Sequence, residues 1–155
     1  MQLIFTKGAG KFDRMDVIRN GVMAEGIECP KQRIIPHDMV HYAVESTLSA
    51  RGFVLRVLEG EAASFQMLPE AESDSVERLV EVFQGDAWSG GNSSPAEMLE
   101  LYGVTCSARE CQPLALAAAD IEAVRKRIAE LTRQWDAVPI GGSLALAFGS
   151  PASGS

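Results

Sequence analysis

Long hydrophobic runs are absent from the 155-residue sequence. A membrane-spanning helix needs about 20 consecutive apolar residues, whereas the longest candidate run, residues 114–119, ends at Asp120. The short apolar start at residues 3–5 has no basic region before it and no cleavage pattern after it, so we expect no signal peptide. We therefore expect a cytoplasmic protein with no membrane partner.

Basic residues are also scarce, since 14 Lys and Arg stand against 21 Asp and Glu, for a formal net charge of -7. Such a surface repels phosphate groups, so we expect no nucleic-acid partner. One local basic cluster lies in a predicted helix and is typical of a solvated helix face. Its members are Arg125, Lys126, Arg127 and Arg133.

Cysteine is rare, and the three cysteines make an odd number, which does not suit a disulfide framework. We expect Cys29, Cys106 and Cys111 to be reduced thiols. Four residues separate Cys106 from Cys111, a spacing that matches neither a redox C-x-x-C motif nor a common zinc knuckle. A thiol pair or a metal ligand remains the alternative.

Several catalytic motifs are missing. No G-x-S-x-G elbow and no Walker loop is present, and Gly8-Ala9-Gly10 precedes no helical pattern. These absences exclude an α/β-hydrolase and a dinucleotide fingerprint. A Cys–His nucleophile requires one of the cysteines to approach His41 in space, and no spacing supports it.

The composition, 46% hydrophobic and 23% charged, is that of an ordinary globular protein. The length predicts a single domain over residues 1–150, followed by a loose tail at 151–155. A chain of this length buries about two-thirds of its unfolded surface, so neither a metal nor a disulfide is needed for folding.

Strand patterns lie at the two ends of the chain. Residues 3–6, 15–19 and 22–29 are predicted strands, and Asn20-Gly21 is a strong two-residue hairpin signal. Residues 144–148 predict a further strand. We therefore expect a small antiparallel sheet built from an N-terminal hairpin and a C-terminal strand.

Helical patterns occupy the middle of the chain. Helices are predicted from Pro36 to residue 50, over 75–84 and over 117–137. A capping signature, Ser94-Pro95-Ala96-Glu97, predicts a short helix that ends at Gly103. Residues 86–94 predict a loop. Residues 53–58 fit either a strand or a helix, and residues 61–68 predict a weaker helix. The expected fold is α+β, with about four to five helices packed on the sheet.

The predicted helix 117–137 carries an apolar stripe that lasts two heptads. Its members, spaced 3, 4, 3 and 4, are Ile121, Val124, Ile128, Leu131 and Trp135. Sustained coiled coils need three or four heptads, so packing inside the fold is the first interpretation. The alternative is that the stripe contacts a protein partner or a second copy of the chain, in a homo-oligomer.

The two histidines of the chain both lie in Pro36-His37-Asp38-Met39-Val40-His41-Tyr42. Four residues apart on a helix, they share one face with Cβ atoms about 6 Å apart. This is how a helix presents two nitrogen ligands to zinc. The spacing therefore predicts a divalent-metal site, zinc first, with His37 and His41 as ligands.

Asp38 and Glu45 are the candidate catalytic residues beside this pair, as base, ligand or orienting group. His37 and Glu45 are separated by about 12 Å of helix rise, so one metal does not take both. A third ligand must come from elsewhere. The candidates are Glu59, Glu61, Glu70 or a cysteine.

The His-Asp-x-x-His pattern weakly resembles the His-Glu-x-x-His helix of zincin metalloproteases, but Asp38 replaces the glutamate base and no third histidine exists. The run from Pro36 to Glu45, after a hairpin, also resembles an uncharacterised family of small bacterial proteins with a Pro-His-Asp-x-x-His-aromatic helix. That resemblance covers about fifty residues. It implies bacterial origin and a recurring role for His37, Asp38, His41, Tyr42 and Glu45, without an activity.

Two functions therefore stay open. One is a metal-binding or metal-dependent hydrolytic site on the histidine helix. The other is a non-catalytic interaction module that uses helix 117–137, with histidines that hydrogen-bond within the fold. Whether the protein is an enzyme is left open by the sequence.

Overall fold

The computed structural model of the protein describes residues 2–59 and 70–148. These residues form an α+β fold in which five helices accompany one antiparallel sheet of four strands. The predicted fold class is confirmed. The predicted helix 61–68 and the predicted tail 151–155 lie outside the described residues.

The sheet consists of β1 (Gln2–Thr6), β2 (Phe12–Arg19), β3 (Val22–Pro30) and β4 (Ser143–Ala147), in the order β3-β2-β1-β4. The predicted hairpin joins β2 and β3. Its turn residues Asn20 and Gly21 have φ angles of 52° and 77°, the left-handed conformation that a type I′ turn requires. One face of the sheet forms part of the core, through fully buried Leu3, Phe5, Met15 and Val17.

Strand β2 begins at Phe12, earlier than the predicted start at residue 15. Asp13 hides this extension in the sequence, because a carboxylate on the inner face breaks the apolar alternation. The structure buries Asp13 and satisfies its Oδ1 atom with the backbone N–H of Gly8 and the ammonium of Lys31. A buried charge is tolerated when it is paired and hydrogen-bonded in this way.

The helices are α1 (His37–Leu48), α2 (Phe53–Leu58), α3 (Ala71–Trp88), α4 (Pro95–Ala108) and α5 (Ala118–Asp136). Helix α1 contacts α2, α3 and α5, and so lies at the centre of the helical layer. The capping signature before α4 is confirmed, since Ser94 and Glu97 exchange side-chain to backbone hydrogen bonds. No helix in the described part of the chain is long and apolar enough to cross a membrane.

Two helices extend further toward their C-termini than predicted, because each contains a glycine that the sequence suggests as its end. Helix α3 continues through Gly85 to Trp88, so the loop predicted at 86–94 begins only at Ser89, and α4 continues through Gly103. A Cβ atom at either glycine would meet nothing within 4 Å. Glycine weakens a helix by about 1 kcal/mol relative to alanine, and packing on either side outweighs that penalty.

Helix α5 turns its apolar stripe into the core. All five stripe residues, Ile121, Val124, Ile128, Leu131 and Trp135, are buried. The stripe therefore packs inside the fold, as the first interpretation holds. The stripe is therefore not exposed to a partner.

Tyr102 ties α4 to two other parts of the chain. Its hydroxyl donates to the backbone carbonyl of Ser75 in α3 at 3.0 Å and accepts the backbone N–H of Leu114 at 2.9 Å. The ring is buried. The hydroxyl of Tyr102 thus fixes α4 relative to α3 and to the connection that leads to α5.

We expect Tyr102→Phe to lower the free energy of unfolding by about 1–3 kcal/mol, because the backbone N–H of Leu114 loses its partner and the carbonyl of Ser75 loses one of its donors. Urea denaturation measures the effect. Ser107→Ala, at an exposed site on the same helix, is the control and should stay within about 0.5 kcal/mol of wild type. Equal midpoints for Tyr102→Phe and wild type would contradict the role of the hydroxyl.

Candidate functional site

The two histidines lie where α1 packs against α3. Residues Met39, Val40, Ala43 and Val44 anchor α1 in the core, and this orientation buries His41 while His37, at the first turn, stays half-exposed. The rings make an edge-to-face contact with centroids 4.8 Å apart. The histidines are therefore adjacent, as the helical spacing predicts.

Glu77 of α3 meets both imidazoles. Its Oε1 atom lies 3.0 Å from Nε2 of His41, and its Oε2 atom lies 3.4 Å from Nε2 of His37. The candidate ligand atoms of these three residues all lie within 4.8 Å of one another. Two ligands bound to one tetrahedral zinc ion at about 2.0–2.1 Å are about 3.3 Å apart. The two nitrogen–oxygen separations of 3.0 and 3.4 Å are close to that value. A separation as long as 4.8 Å would have to shorten for all three ligands to reach one ion.

The other ring nitrogen of His41 donates to Glu45, with Nδ1 and Oε2 2.9 Å apart. The same carboxylate accepts the backbone N–H groups of Gly52, Val54 and Leu55 at 2.8–3.1 Å. Glu45 thereby caps the N-terminus of α2, where the helix leaves unpaired N–H groups. All four contacts converge on a fully buried carboxylate, which makes Glu45 an orienting group for His41.

This capping also explains why residues 53–58 form a helix. The interpretation of this segment as a strand is wrong, and the helical alternative is correct. The side chain that stabilises the first turn of α2 comes from α1, so the segment itself carries no capping residue. Gly52 is required at the cap, because a Cβ atom there would lie 2.6 Å from Oε2 of Glu45.

His37 has a neutral partner on its inner side. Its Nδ1 atom lies 2.6 Å from Oε1 of Gln84, two turns along α3 from Glu77. Each histidine therefore contacts an acceptor through Nδ1 and the shared carboxylate of Glu77 through Nε2. This division matches metal-binding histidines, whose second nitrogen typically donates to a carboxylate or carbonyl.

Asp38 lies beside the histidines and is half-buried. The thiol of Cys29 donates to its Oδ2 atom at 3.6 Å. Burial raises the pKa of Asp38, and the nearby charges of His41 and His37 partly offset that rise. The carboxyl is thus a proton-transfer candidate next to the site, in a setting distinct from that of Glu45.

The ionisation of the cluster follows from its contacts. Burial alone would lower the pKa of His41, but its hydrogen bonds to Glu45 and Glu77 outweigh burial and raise the pKa to about 10. Burial would raise the pKa of Glu77, but hydrogen bonds from His41 and from His37 in its doubly protonated form hold it well below its usual range. Without a metal, His41 is therefore an imidazolium between two carboxylates.

The third group of the cluster, Glu77, is absent from the sequence-based candidates. Among those candidates, Glu59 and Glu70 form ion pairs with Arg51 instead. Of the cysteines, Cys29 contacts Asp38, and Glu61 lies outside the described residues. The available signal was that Glu77 and Gln84 lie seven residues apart, on one face of α3.

Tyr42, the aromatic residue of the motif, contacts the sheet and not the metal-ligand candidates. The hydroxyl of Tyr42 donates to the backbone carbonyl of Ala147 in β4 at 2.6 Å. Tyr42 therefore fixes α1 to the sheet and lies apart from the His37–His41–Glu77 cluster.

We expect Glu45→Gln to destabilise the fold by about 3 kcal/mol or more. The amide replaces one acceptor oxygen with a donor that faces backbone N–H groups, and a buried unpaired group costs about 1–3 kcal/mol. Urea denaturation gives the change, with Glu100→Gln at an exposed site of α4 as control. Identical stability of Glu45→Gln and wild type would refute the capping role.

Comparison of the chain with protein-family models, with curated proteins and with solved structures finds no match.

Proposed function

We propose that this protein binds one divalent transition-metal ion, zinc first, through His37, His41 and Glu77. The observation that carries the proposal is that both Nε2 atoms face one carboxylate while both Nδ1 atoms face separate acceptors. Two imidazoles and one carboxylate are a ligand set that zinc accepts. Calcium and magnesium, which prefer oxygen ligands alone, are less suited to this set, whereas iron(II) also accepts two histidines and one carboxylate.

The proposed centre has an open side. The side chains of His37 and Glu77 are 36% and 32% exposed, whereas that of His41 is 2% exposed. Catalytic zinc sites hold three protein ligands and keep a further position for water or substrate, whereas structural sites are closed by four. We therefore propose a metal-dependent hydrolytic role, in which the ion would activate water.

The surrounding residues divide the remaining tasks in this proposal. Glu45 holds His41 in place through a buried hydrogen bond, and Asp38 is the candidate acid or base beside the metal.

Free Cys29, Cys106 and Cys111 favour a reducing compartment, so we propose that the protein is cytoplasmic. Bacterial origin rests on the resemblance of residues 36–45 alone.

The alternative function, interaction through α5, has less support because the stripe of α5 is buried. A partner or a second copy would have to contact the outer face of that helix.

We expect wild-type protein, purified without a polyhistidine tag, to contain near-stoichiometric zinc by plasma mass spectrometry. The double variant His37→Ala/His41→Ala and the single variant Glu77→Gln should each lose it. Removing a ligand should weaken zinc binding more than the roughly 10–100-fold typical of an outer partner.

The matched control is Glu81→Gln, which removes the same charge from α3 one turn further along, where Glu81 pairs with Arg78. It should retain zinc. A wild type that is metal-free and also fails to bind added zinc would leave His41 as a structural link between two glutamates. If the wild-type protein does bind zinc, a panel of ester, amide and phosphoester substrates tests the hydrolytic role.

Zinc affinity should fall as the pH falls. The pKa of His41 is about 10 without metal, so at neutral pH zinc must displace a proton from Nε2. Displacing one proton weakens apparent binding about tenfold for each pH unit lowered. Competition with a chromophoric chelator, corrected for the chelator's own protonation, measures the slope. A flat profile between about pH 6 and 8 would show that zinc displaces no proton from His41 in this range.

A further inference from the structure

We propose that Gln84, oriented by Gln32, is a positioning residue that keeps the proton of neutral His37 on Nδ1, so that the lone pair of Nε2 faces the metal. The inference rests on the proposed metal site, since it concerns how one ligand of that site is presented. Gln84 itself contacts no metal in this arrangement. It acts through the imidazole.

The direction of each hydrogen bond follows from a backbone carbonyl. The side-chain amide of Gln32 lies 2.8 Å from the carbonyl oxygen of Ile35, which only accepts, so the atom of Gln32 at that position is the nitrogen Nε2. The same nitrogen lies 2.9 Å from Gln84. The atom of Gln84 that it meets must therefore be the oxygen Oε1.

The oxygen of Gln84 in turn decides the tautomer of His37. An amide oxygen cannot donate, and Nδ1 of His37 lies 2.6 Å from it, so Nδ1 carries the hydrogen. In the neutral ring Nε2 is then unprotonated and free to bind a cation. Without Gln84, the carboxylate of Glu77, 3.4 Å from Nε2, would favour the opposite tautomer.

The two glutamines are held from several sides. Gln84 is buried in α3, and Gln32 lies in the connection between β3 and α1. The indole N–H of Trp88, one turn after Gln84, donates to the backbone carbonyl of Gln32 at 2.8 Å. The connection is thus fixed to α3 through both its side chain and its backbone, which keeps the amide of Gln84 from turning over.

The two histidines differ in the charge of their partners. Glu45 gives His41 an anionic acceptor, whereas Gln84 gives His37 a neutral one. A carboxylate partner makes an imidazole ligand more basic than an amide does. Gln84→Glu should therefore preserve the tautomer and bind zinc at least as tightly as wild type, while Gln84→Leu should lose both features.

The first test uses metal-free protein. Long-range proton–nitrogen correlation NMR, recorded above the pKa of His37, distinguishes the two neutral tautomers. Wild type and Gln84→Glu should show His37 protonated on Nδ1, and Gln84→Leu should shift it toward Nε2. Gln32→Ala, which frees the amide of Gln84, should give a mixture. Gln134→Leu, at an exposed site on α5, is the control and should match wild type.

The second test is zinc affinity by chelator competition. We expect Gln84→Leu to bind about 10–100-fold more weakly than wild type, with rescue by Gln84→Glu. A wild-type His37 protonated on Nε2, or a Gln84→Leu protein with unchanged tautomer and unchanged affinity, would overturn the inference. A wild type that binds no zinc would overturn the metal site, and the tautomer pattern would still decide whether Gln84 positions His37.

Discussion

The carboxylate of Glu45 joins three features of the molecule: the middle of α1, the first turn of α2 and the ring of His41. Its oxygens accept three backbone N–H groups and one imidazole N–H in a fully buried setting. A buried carboxylate persists only when its acceptors are used in this way. The position of His41 is therefore set by the same contacts that start α2, and the site is supported from within the core.

The candidate site is completed by the packing of α1 against α3, because α1 alone supplies only the two histidines and Glu45. Helical spacing places His37 and His41 together, and α3 adds Glu77 on one side and Gln84 on the other. Because Glu77 and Gln84 share a face of α3, a single helix contact delivers both the shared carboxylate and the acceptor for His37. The residues that contact the Nδ1 atoms lie on different helices: Glu45, which contacts His41, is on α1, and Gln84, which contacts His37, is on α3.

Features that depend on neighbours in sequence could be predicted. The turn at Asn20-Gly21, the capping of α4 by Ser94 and the shared face of the two histidines each follow from local backbone geometry. Features that depend on contacts between distant residues could not. Residues 53–58 become a helix because of a side chain on α1, and Glu77 joins the site only when α3 packs on α1.

The proton on His41 has a consequence for how an ion would enter. Two carboxylates, Glu45 and Glu77, face the ring of His41 from opposite sides, and the imidazolium balances part of their charge when no metal is bound. In the proposed site, this proton occupies the position on Nε2 of His41 that the metal ion would take. A zinc ion in the proposed site would replace this single proton on Nε2 of His41 with two positive charges, so the charge of the two carboxylates is already partly balanced before an ion binds.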